Sequence, residues 1–221
     1  MMIRLVLFDI DGTLIRTGGA GVKAFARAFE TEFGLADGTE RLKFAGRTDV
    51  SLVREFFSHH GITPDATHFE RFFETYLSHL NQIILECKGE VCPGVHQFLN
   101  ELGMAADAPL LGLLTGNIRR GAEVKLRHYH LWKEFSFGGF AEDSEERDGI
   151  AAIAKERGEE VLVIGDTPLD IRCARSIGAK VLAVATGGSK LDELQAHKPD
   201  LAVEDLRALK PKRLLEFLSA A

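Results

Sequence analysis

The chain has 221 residues, of which 45% are hydrophobic and 27% are charged, a composition typical of a globular protein that buries a sizeable core. The formal net charge is −6, and no run of Lys or Arg is long enough to follow a phosphate backbone, so we expect no nucleic-acid partner. No apolar stretch approaches the length of a bilayer span, and the three cysteines include no CxxC pair, so we expect a cytoplasmic protein with free thiols and no membrane partner.

The first predicted element is a strand, because residues 3–8 form a short apolar run. From Gly18 onward, apolar residues recur at helical spacing. They form three stripes: Val22, Phe25, Ala26, Phe29 and Phe33; Val50, Val53, Phe56 and Phe57; and Phe69, Phe72, Phe73, Tyr76, Leu77, Leu80, Ile83 and Ile84. Packing inside a helical bundle explains these stripes better than the lining of a ligand cavity does. We therefore expect residues 17–88 to form a separate helical unit.

The pattern changes after residue 90 to short apolar runs that alternate with helical segments. The predicted strands in this part of the chain are residues 109–114, 135–140, 161–164, 181–184 and 201–203. Strands that alternate with helices are typical of a mostly parallel sheet that is covered on both faces. The sequence thus predicts a Rossmann-like α/β core, made of residues 1–16 and 89–221, with an all-helical unit inserted after the first strand.

Polar residues follow three of the predicted strands directly. The first strand ends in Asp9 and Asp11, the second in Thr115-Gly116-Asn117, and the fourth in Asp166, with Asp170 one helical turn later. Ligands of open α/β sheets lie beyond the carboxyl ends of the strands. Aspartates also cap helices, but capping alone does not explain four acidic residues at such positions. The pattern indicates a functional site at this edge of the sheet.

Carboxylates that are crowded together repel one another, so a cation must hold them ionised. Hard oxygen ligands at this density suit Mg²⁺, which also offsets the repulsion between an attacking carboxylate and an anionic phosphoryl group. Asp9 and Asp11 cannot both have the same role. Alternate residues of a strand point the same way, but the chain must turn here, at Gly12. One carboxylate can attack phosphorus while the other protonates the leaving-group oxygen as a general acid.

Three segments resemble motifs of the haloacid dehalogenase-like hydrolase superfamily. DIDGTL at residues 9–14, LLTGN at residues 113–117 and GDTPLD at residues 165–170 are similar to its first, second and fourth motifs. The helical insert is similar to the family's cap, and KPDLAV at residues 198–203 resembles its closing strand. The nearest subgroup is the phosphoglycolate phosphatase-like one.

The resemblance implies a role for each matching residue. Asp9 is expected to be a metal ligand and also the nucleophile, which forms an aspartyl-phosphate. Asp11 is expected to protonate the leaving group, to activate water and to bind Mg²⁺ through its backbone carbonyl. Thr115 is expected to donate its hydroxyl to the phosphoryl group. Asp166 is expected to bind Mg²⁺ directly. Asp170 is expected either to bind the ion itself or to hold in place the residues that bind it. The neighbouring residues expected to bind the substrate are Gly12, Thr13, Gly116 and Asn117.

The family's third motif usually supplies a Lys, but here the matching stretch is EERDGI at residues 145–150. Arg147 is the favoured substitute, because the motif must place a positive charge beside Asp9 and the phosphoryl oxygens. Arg and Lys differ in reach and shape, so the replacement is not a conservative one. Lys125, on the helix after the second motif, is the alternative.

The segment FAGRTD at residues 44–49 joins two predicted helices of the insert and resembles the loop through which such caps reach the active site. Gly46 allows a close turn, and Thr48 or Asp49 is expected to cap the next helix. Arg47 has no evident partner on that helix. We expect it to contact the anionic or hydroxylated part of the substrate when the cap closes, although a solvated surface position is the alternative. Thr186-Gly187-Gly188 either borders the site or forms a plain turn.

Other functions are compatible with parts of this pattern. A sugar phosphomutase would use the same Asp9 and Asp11, but Thr13 after Asp-Gly favours a phosphatase. A dehalogenase would leave Asp11 idle, and a catalytically silent binding protein is disfavoured because Asp9 and Asp166 are both present. The resemblance implies a magnesium-dependent phosphatase that hydrolyses small phosphorylated metabolites.

Overall fold

The structure is a computed structural model in which residues 3–105 and 107–220 are described. Along this part of the chain the strands are β1 (Leu5–Phe8), β2 (Ile15–Arg16), β3 (Glu90–Val91), β4 (Leu110–Leu114), β5 (Phe137–Gly139), β6 (Val161–Gly165), β7 (Lys180–Val184) and β8 (Leu201–Val203). Six of them form a parallel sheet in the order β5-β4-β1-β6-β7-β8. All six predicted strands of the sheet are confirmed, with small shifts at their ends.

The α-helices of the described residues are α1 (Ala20–Phe33), α2 (Asp49–His59), α3 (Ala66–Glu86), α4 (Val95–Gly103), α5 (Arg119–His128), α6 (Arg147–Lys155), α7 (Pro168–Ser176), α8 (Leu191–Ala196) and α9 (Pro211–Ala220). Helices cover both faces of the sheet, and the alternation along β1 shows how. Val6 and Phe8 pack in a cluster with residues of α4 and α5, whereas Leu5 and Leu7 pack in a second cluster with residues of α6 and α7. Because both faces are buried, the strands are apolar throughout. The predicted Rossmann-like α/β fold is confirmed.

Helices α1, α2 and α3 form a third apolar cluster, which is rich in aromatic rings. In its centre the rings of Phe29 and Phe56 stack with their centroids 3.7 Å apart, and Phe25 meets Phe72 edge to face at 4.8 Å. The aromatic stripes therefore pack against one another, as the sequence predicts. That residues 17–88 form a cap domain stays a prediction.

A two-stranded antiparallel ribbon, which the sequence analysis missed, connects this helical part to the sheet. Ile15 of β2 pairs with Val91 of β3, so the chain enters and leaves the helices at one place. Cys87, Cys92 and Cys173 are free thiols. Within the described ranges, every helix is too short or too polar to cross a lipid bilayer.

Candidate active site

Three neighbouring strands end at the same edge of the sheet. Asp9 follows β1, Thr115 follows β4, and Asp166 follows β6. Since β1 lies between β4 and β6 and all three are parallel, these side chains meet beyond the sheet. A cavity of about 270 Å³ lies there, between the strand ends and the helices α1, α2 and α3. Its lining includes Asp9, Asp11, Gly12, Thr115, Gly116, Asn117, Lys125, Arg147 and Asp166 from the sheet side, and Phe25, Phe44, Arg47, Asp49, Leu52 and Tyr76 from the helical side.

Asp9 is a buried acid at the floor of the cavity, with 5% of its surface exposed. Burial raises the pKa of Asp9 from 3.8 to about 7, while the guanidinium of Arg147 opposes that rise. Both terminal nitrogens of Arg147 lie 3.4 Å from Asp9 Oδ1. Asp9 is thus a nearly enclosed carboxylate with one cation at its Oδ1, and it lines the cavity in which a ligand would lie.

Asp9, Asp166 and Asp170 form a buried acidic cluster, in which one carboxylate oxygen of each lies within 4.8 Å of the others. Burial, together with the charges of Asp170 and Asp9, raises the pKa of Asp166 well above its usual value. Thr13 Oγ1 donates to Asp166 Oδ1 at 3.1 Å. A donor set made of carboxylate oxygens fits a hard divalent cation such as Mg²⁺, whose charge would hold the acids ionised.

Gly12 and Gly187 lie against the side chain of Asp166, which occupies the space that a Cβ at either position would need. A Cβ on Gly12, whose φ is 91°, would lie 2.4 Å from Asp166 Oδ2, and a Cβ on Gly187 would lie 1.7 Å from the same oxygen. Thr186 Oγ1 donates to the Gly12 carbonyl at 2.6 Å and joins the two segments. The turn at residues 186–188 therefore borders the site. The sequence alone did not distinguish this position from that of a plain turn.

Asp170 is held by the start of its own helix and by Arg147. Its Oδ2 accepts from the backbone N–H of Thr167 at 3.0 Å and from the Thr167 hydroxyl at 2.6 Å, a reciprocal cap at the first turn of α7. Its Oδ1 accepts from Arg147 Nη2. Because both oxygens already have protein donors, Asp170 is suited to orienting Arg147 and to supporting a cation from behind Asp166.

Asp11 has a different environment from Asp9, since 41% of its side chain is exposed and it lies outside the acidic cluster. Its Oδ2 accepts from Lys125 Nζ at 2.6 Å and from Asn117 Nδ2 at 2.8 Å. Lys125 also donates to Asn117 Oδ1 at 2.6 Å, which closes a three-residue network. The two candidate cations of the sequence analysis are therefore both in the site, with Arg147 at Asp9 and Lys125 at Asp11.

Thr115 is fully buried at the end of β4. Its Oγ1 accepts from the backbone N–H of Asn117 at 3.3 Å and from Asn117 Nδ2 at 2.8 Å. With its lone pairs engaged, the hydroxyl proton of Thr115 remains free to donate to an anion beside Asp9. This is the direction of hydrogen bonding that a phosphoryl oxygen requires.

The loop at residues 44–49 reaches down to the sheet, as the sequence predicts. Thr48 caps α2 by accepting from the Ser51 N–H at 3.2 Å. The Asp49 N–H donates to the Gly116 carbonyl at 2.7 Å, and Asp49 Oδ2 accepts from the Ile118 N–H at 2.9 Å. A Cβ on Gly116 would lie 2.1 Å from the Arg47 carbonyl oxygen, so a glycine is required where this loop contacts the second motif.

The expectation that Arg47 has no partner on the following helix was wrong. Arg47 Nη2 lies 2.9 Å from Glu55 Oε2, and its Nε donates to Ser51 Oγ at 3.3 Å. Ser51 and Glu55 stand four and eight residues later, so the side chain of Arg47 runs along the first two turns of α2. That spacing could have indicated the pair. Arg47 still lines the cavity, with its charge neutralised by Glu55.

Some lining residues were not predicted as site residues. Asp49 is half-buried opposite the strand ends, where loss of contact with water raises its pKa to about 6 against the lowering effect of Lys125. Phe25 and Tyr76 belong to the aromatic stripes, yet they also line the cavity. Helical periodicity reveals that these rings are buried but not which of them borders a cavity.

Comparisons with known proteins identify the family of the chain. The sequence pattern of the haloacid dehalogenase-like hydrolase family matches residues 6–184. The chain is 28% identical over 213 residues to a candidate pyrophosphatase, PpaX, of Caldanaerobacter subterraneus subsp. tengcongensis, covering 93% of this chain and 92% of that protein. It is 26% identical over 211 residues to the phosphoglycolate phosphatase of Synechococcus elongatus, covering 91% of this chain and 93% of that protein.

The fold is also similar to that of a solved structure, CbbY of Rhodobacter sphaeroides in complex with phosphate. The TM-score is 0.76 at 18% identity, over 93% of this chain and 95% of that one. The resemblance of the three motifs is thus accompanied by a family match over most of the chain. The chain belongs to the haloacid dehalogenase-like hydrolase family.

Proposed function

We propose that the protein is a magnesium-dependent phosphatase that hydrolyses small phosphate monoesters through an aspartyl-phosphate on Asp9. The observation that carries this proposal is the pairing of two unlike carboxylates in one cavity. Asp9 is enclosed beside Arg147, whereas Asp11 is 41% exposed and hydrogen-bonded to Lys125. The environments suit a nucleophile and a proton-transfer group, respectively.

In the proposed reaction Oδ2 of Asp9 attacks phosphorus, and the bond from phosphorus to the ester oxygen breaks. The Asp11 carboxyl gives its proton to the departing alcohol and then takes a proton from the water that hydrolyses the aspartyl-phosphate. The Thr115 hydroxyl and the backbone N–H of Gly116 bind the phosphoryl oxygens. Asn117 orients that hydroxyl through its backbone N–H and its side-chain amide, and Gly12 and Thr13 border the phosphoryl group.

The residues that would hold Mg²⁺ are Asp9, Asp166 and the backbone carbonyl of Asp11, with Asp170 in support. When bound, the ion would reduce the repulsion between Asp9 and the phosphoryl oxygens and would polarise the phosphoryl group. The carboxylate oxygens within 4.8 Å of one another support this assignment. Arg147 takes the third-motif role, since it contacts Asp9 whereas Lys125 contacts Asp11.

The activity is tested directly by the release of inorganic phosphate from a panel of phosphorylated metabolites in the presence of Mg²⁺. Phosphorus NMR of reactions that contain sugar phosphates separates the alternatives, because a phosphomutase yields an isomerised ester and a phosphatase yields free phosphate. We expect free phosphate as the main product. An isomerised ester as the main product, or no turnover of any ester, would contradict the proposal.

Replacement of Arg147 by Ala is expected to lower kcat about a hundredfold, because it removes a cation that faces developing negative charge in a closed site, a contact worth about 3 kcal/mol. Arg147→Lys should recover part of the loss. The comparison variant is Lys125→Ala, since Lys125 is a second buried cation of the same cavity. If Arg147→Ala is near normal and Lys125→Ala is inactive, the third-motif assignment is wrong.

We propose that residues 17–88 form a cap over a core of residues 1–16 and 89–221, and that Arg47 on this cap contacts the substrate. Because Glu55 neutralises Arg47 at 2.9 Å, the guanidinium would act as a hydrogen-bond donor to a hydroxylated part of the ester rather than as an unpaired charge. Contacts remote from phosphorus can position the ester for attack.

Arg47→Ala is expected to lower kcat/KM for a hydroxylated ester by at least about tenfold, equivalent to about 1.4 kcal/mol. It should change the hydrolysis of a generic aryl phosphate much less, since that molecule has no group for Arg47 to bind. Arg41→Ala is the matched control, because Arg41 is an exposed arginine that pairs with Glu40 away from the cavity. Equal losses on both esters would argue against substrate selection by Arg47.

A further inference from the structure

Tyr76 presents a hydroxyl to the cavity without a protein partner. The residue is 2% exposed, lies in the middle of α3 and lines the cavity opposite the strand ends. Among the described residues, no group hydrogen-bonds to its hydroxyl, and burial raises the pKa of Tyr76 well above its usual value. A tyrosine whose ring is buried normally has a hydrogen-bond partner for its hydroxyl. A ligand in the cavity can therefore supply the hydrogen-bond partner that the Tyr76 hydroxyl lacks.

The space beside this hydroxyl is kept open by glycines. A Cβ on Gly21 of α1 would lie 3.3 Å from Lys125 Nζ and 3.9 Å from the Tyr76 oxygen. A Cβ on Gly121 of α5 would lie 3.4 Å from Tyr76 Cε1. Tyr76 and Lys125 thus border one small volume, and Lys125 is bound to Asp11, the proposed proton donor to the leaving group. This volume is where the leaving alcohol of an ester on Asp9 would extend.

The charges of the cavity indicate what kind of leaving group fits. Lys125 is paired with Asp11 at 2.6 Å and Arg47 with Glu55 at 2.9 Å. Asp49, on the same side, adds a half-buried carboxyl. No unpaired cation is thus available on the helical side, within the described lining, for a carboxylate or a second phosphate of the substrate. A buried anion without a partner is costly, whereas a neutral hydroxyl needs only one hydrogen bond.

We propose that Tyr76 is a specificity-determining residue, whose hydroxyl hydrogen-bonds to a neutral hydroxyl or carbonyl oxygen of the leaving alcohol. The protein then prefers esters of small uncharged polyols or hydroxylated alcohols over phosphoglycolate and pyrophosphate. This inference rests on the proposed function and identifies the substrate class of the same site. Tyr76 takes no part in the chemical step, so its loss affects only those esters that carry the group it binds.

The test uses three esters of similar size with the wild-type protein in Mg²⁺. They are 2-hydroxyethyl phosphate, propyl phosphate, in which a methyl group replaces the hydroxyl, and phosphoglycolate, in which a carboxylate replaces the hydroxymethyl group. The expected kcat/KM for 2-hydroxyethyl phosphate is at least about tenfold above that for either of the others, a difference of about 1.4 kcal/mol. Equal values for all three, or a preference for phosphoglycolate, would overturn the inference.

The variant that isolates the contact is Tyr76→Phe, which removes one oxygen and keeps the packed ring. It should lower kcat/KM for 2-hydroxyethyl phosphate about tenfold and leave propyl phosphate within about twofold, since one neutral hydrogen bond is lost. The matched control is Tyr129→Phe. In the wild type the Tyr129 hydroxyl donates to the Arg16 carbonyl, outside the cavity lining. An equal loss on all three esters would assign Tyr76 a structural role only.

The outcomes separate this inference from the function on which it rests. A wild-type protein that hydrolyses an aryl phosphate but shows no preference among the three esters retains the proposed function and refutes the role of Tyr76. A protein that releases phosphate from none of the four compounds contradicts the phosphatase itself.

Discussion

Replacing Asp9 with Asn is expected to lower kcat at least on the order of 10⁴-fold, because an amide of nearly the same shape is a far weaker nucleophile. The measurement is phosphate release in saturating Mg²⁺, with circular dichroism to confirm that the variant is folded. Acid–base residues typically contribute about 10²- to 10⁴-fold, so a nucleophile should reach the upper end of that range or exceed it. A folded Asp9→Asn protein that keeps more than about a hundredth of wild-type activity would refute the covalent mechanism.

The free energy of unfolding of the Asp9→Asn variant can also be predicted, and its measurement shows whether a loss of activity comes from misfolding. Since burial raises the pKa of Asp9 to about 7 in the metal-free fold, folded protein keeps a proton between pH 3.8 and 7 that the unfolded chain has released. The stability of the wild type therefore falls as the pH rises through this window. Asparagine has no proton to lose, so metal-free Asp9→Asn should be more stable than wild type at pH 8.

The difference in the free energy of unfolding between variant and wild type has an upper bound of about 4 kcal/mol, because the pKa shift of Asp9 contributes about 1.4 kcal/mol per pH unit. The difference should become smaller as the pH falls towards 4. Urea unfolding in EDTA at pH 4, 6 and 8 measures it. A variant that is less stable than wild type at pH 8 would show that the carboxylate of Asp9 is not a source of strain in the metal-free fold.

Removal of the metal by EDTA is expected to lower phosphate release about a thousandfold, and added Mg²⁺ should restore it. The reason is electrostatic, since Asp9, Asp166 and Asp170 are buried within 4.8 Å of one another and a dianionic ester must approach them. Metal ions contribute several kcal/mol to such reactions, and about 4 kcal/mol corresponds to a thousandfold.

A binding measurement separates loss of the metal from loss of activity. Mg²⁺ should raise the Tm of the wild type, because a ligand that binds only the folded state stabilises it. Asp166→Asn should abolish that rise. The exposed Asp37→Asn is the matched control, since Asp37 lies outside the cavity lining. Full activity in EDTA would exclude Asp166 and Asp170 from the metal site, and an unchanged Mg²⁺ response of Asp166→Asn would exclude Asp166.

Short apolar runs predict the sheet well, because strands that are buried on both faces admit few polar residues. The same runs locate the candidate site, since parallel strands present their carboxyl ends at one edge and Asp9, Thr115 and Asp166 each follow such an end. The β2–β3 ribbon was not predicted, because a two-residue strand has no periodicity to detect.

Which cation serves which carboxylate depended on packing. Arg147 and Lys125 are both plausible in the sequence, but α6 begins with Arg147 beneath Asp9, and α5 presents Lys125 to Asp11. The partner of Arg47 depended likewise on the path of its side chain along α2, towards Glu55. The contacts of Arg147 and Lys125 join residues that are far apart in the chain, so no motif encodes them, whereas the helical spacing of Ser51 and Glu55 could have indicated the partners of Arg47.

The sequence by itself determined the order of the strands along the chain, the helical insert and the acidic residues at the strand ends, because each follows from local periodicity and composition. Only the tertiary structure decided that Tyr76, one of several aromatic residues on α3, lines the cavity with its hydroxyl unpaired among the described residues. Burial of a helical face follows from the spacing of its apolar residues. The part of that face that borders a cavity rather than another side chain is set by how α1, α3 and α5 pack around Gly21 and Gly121.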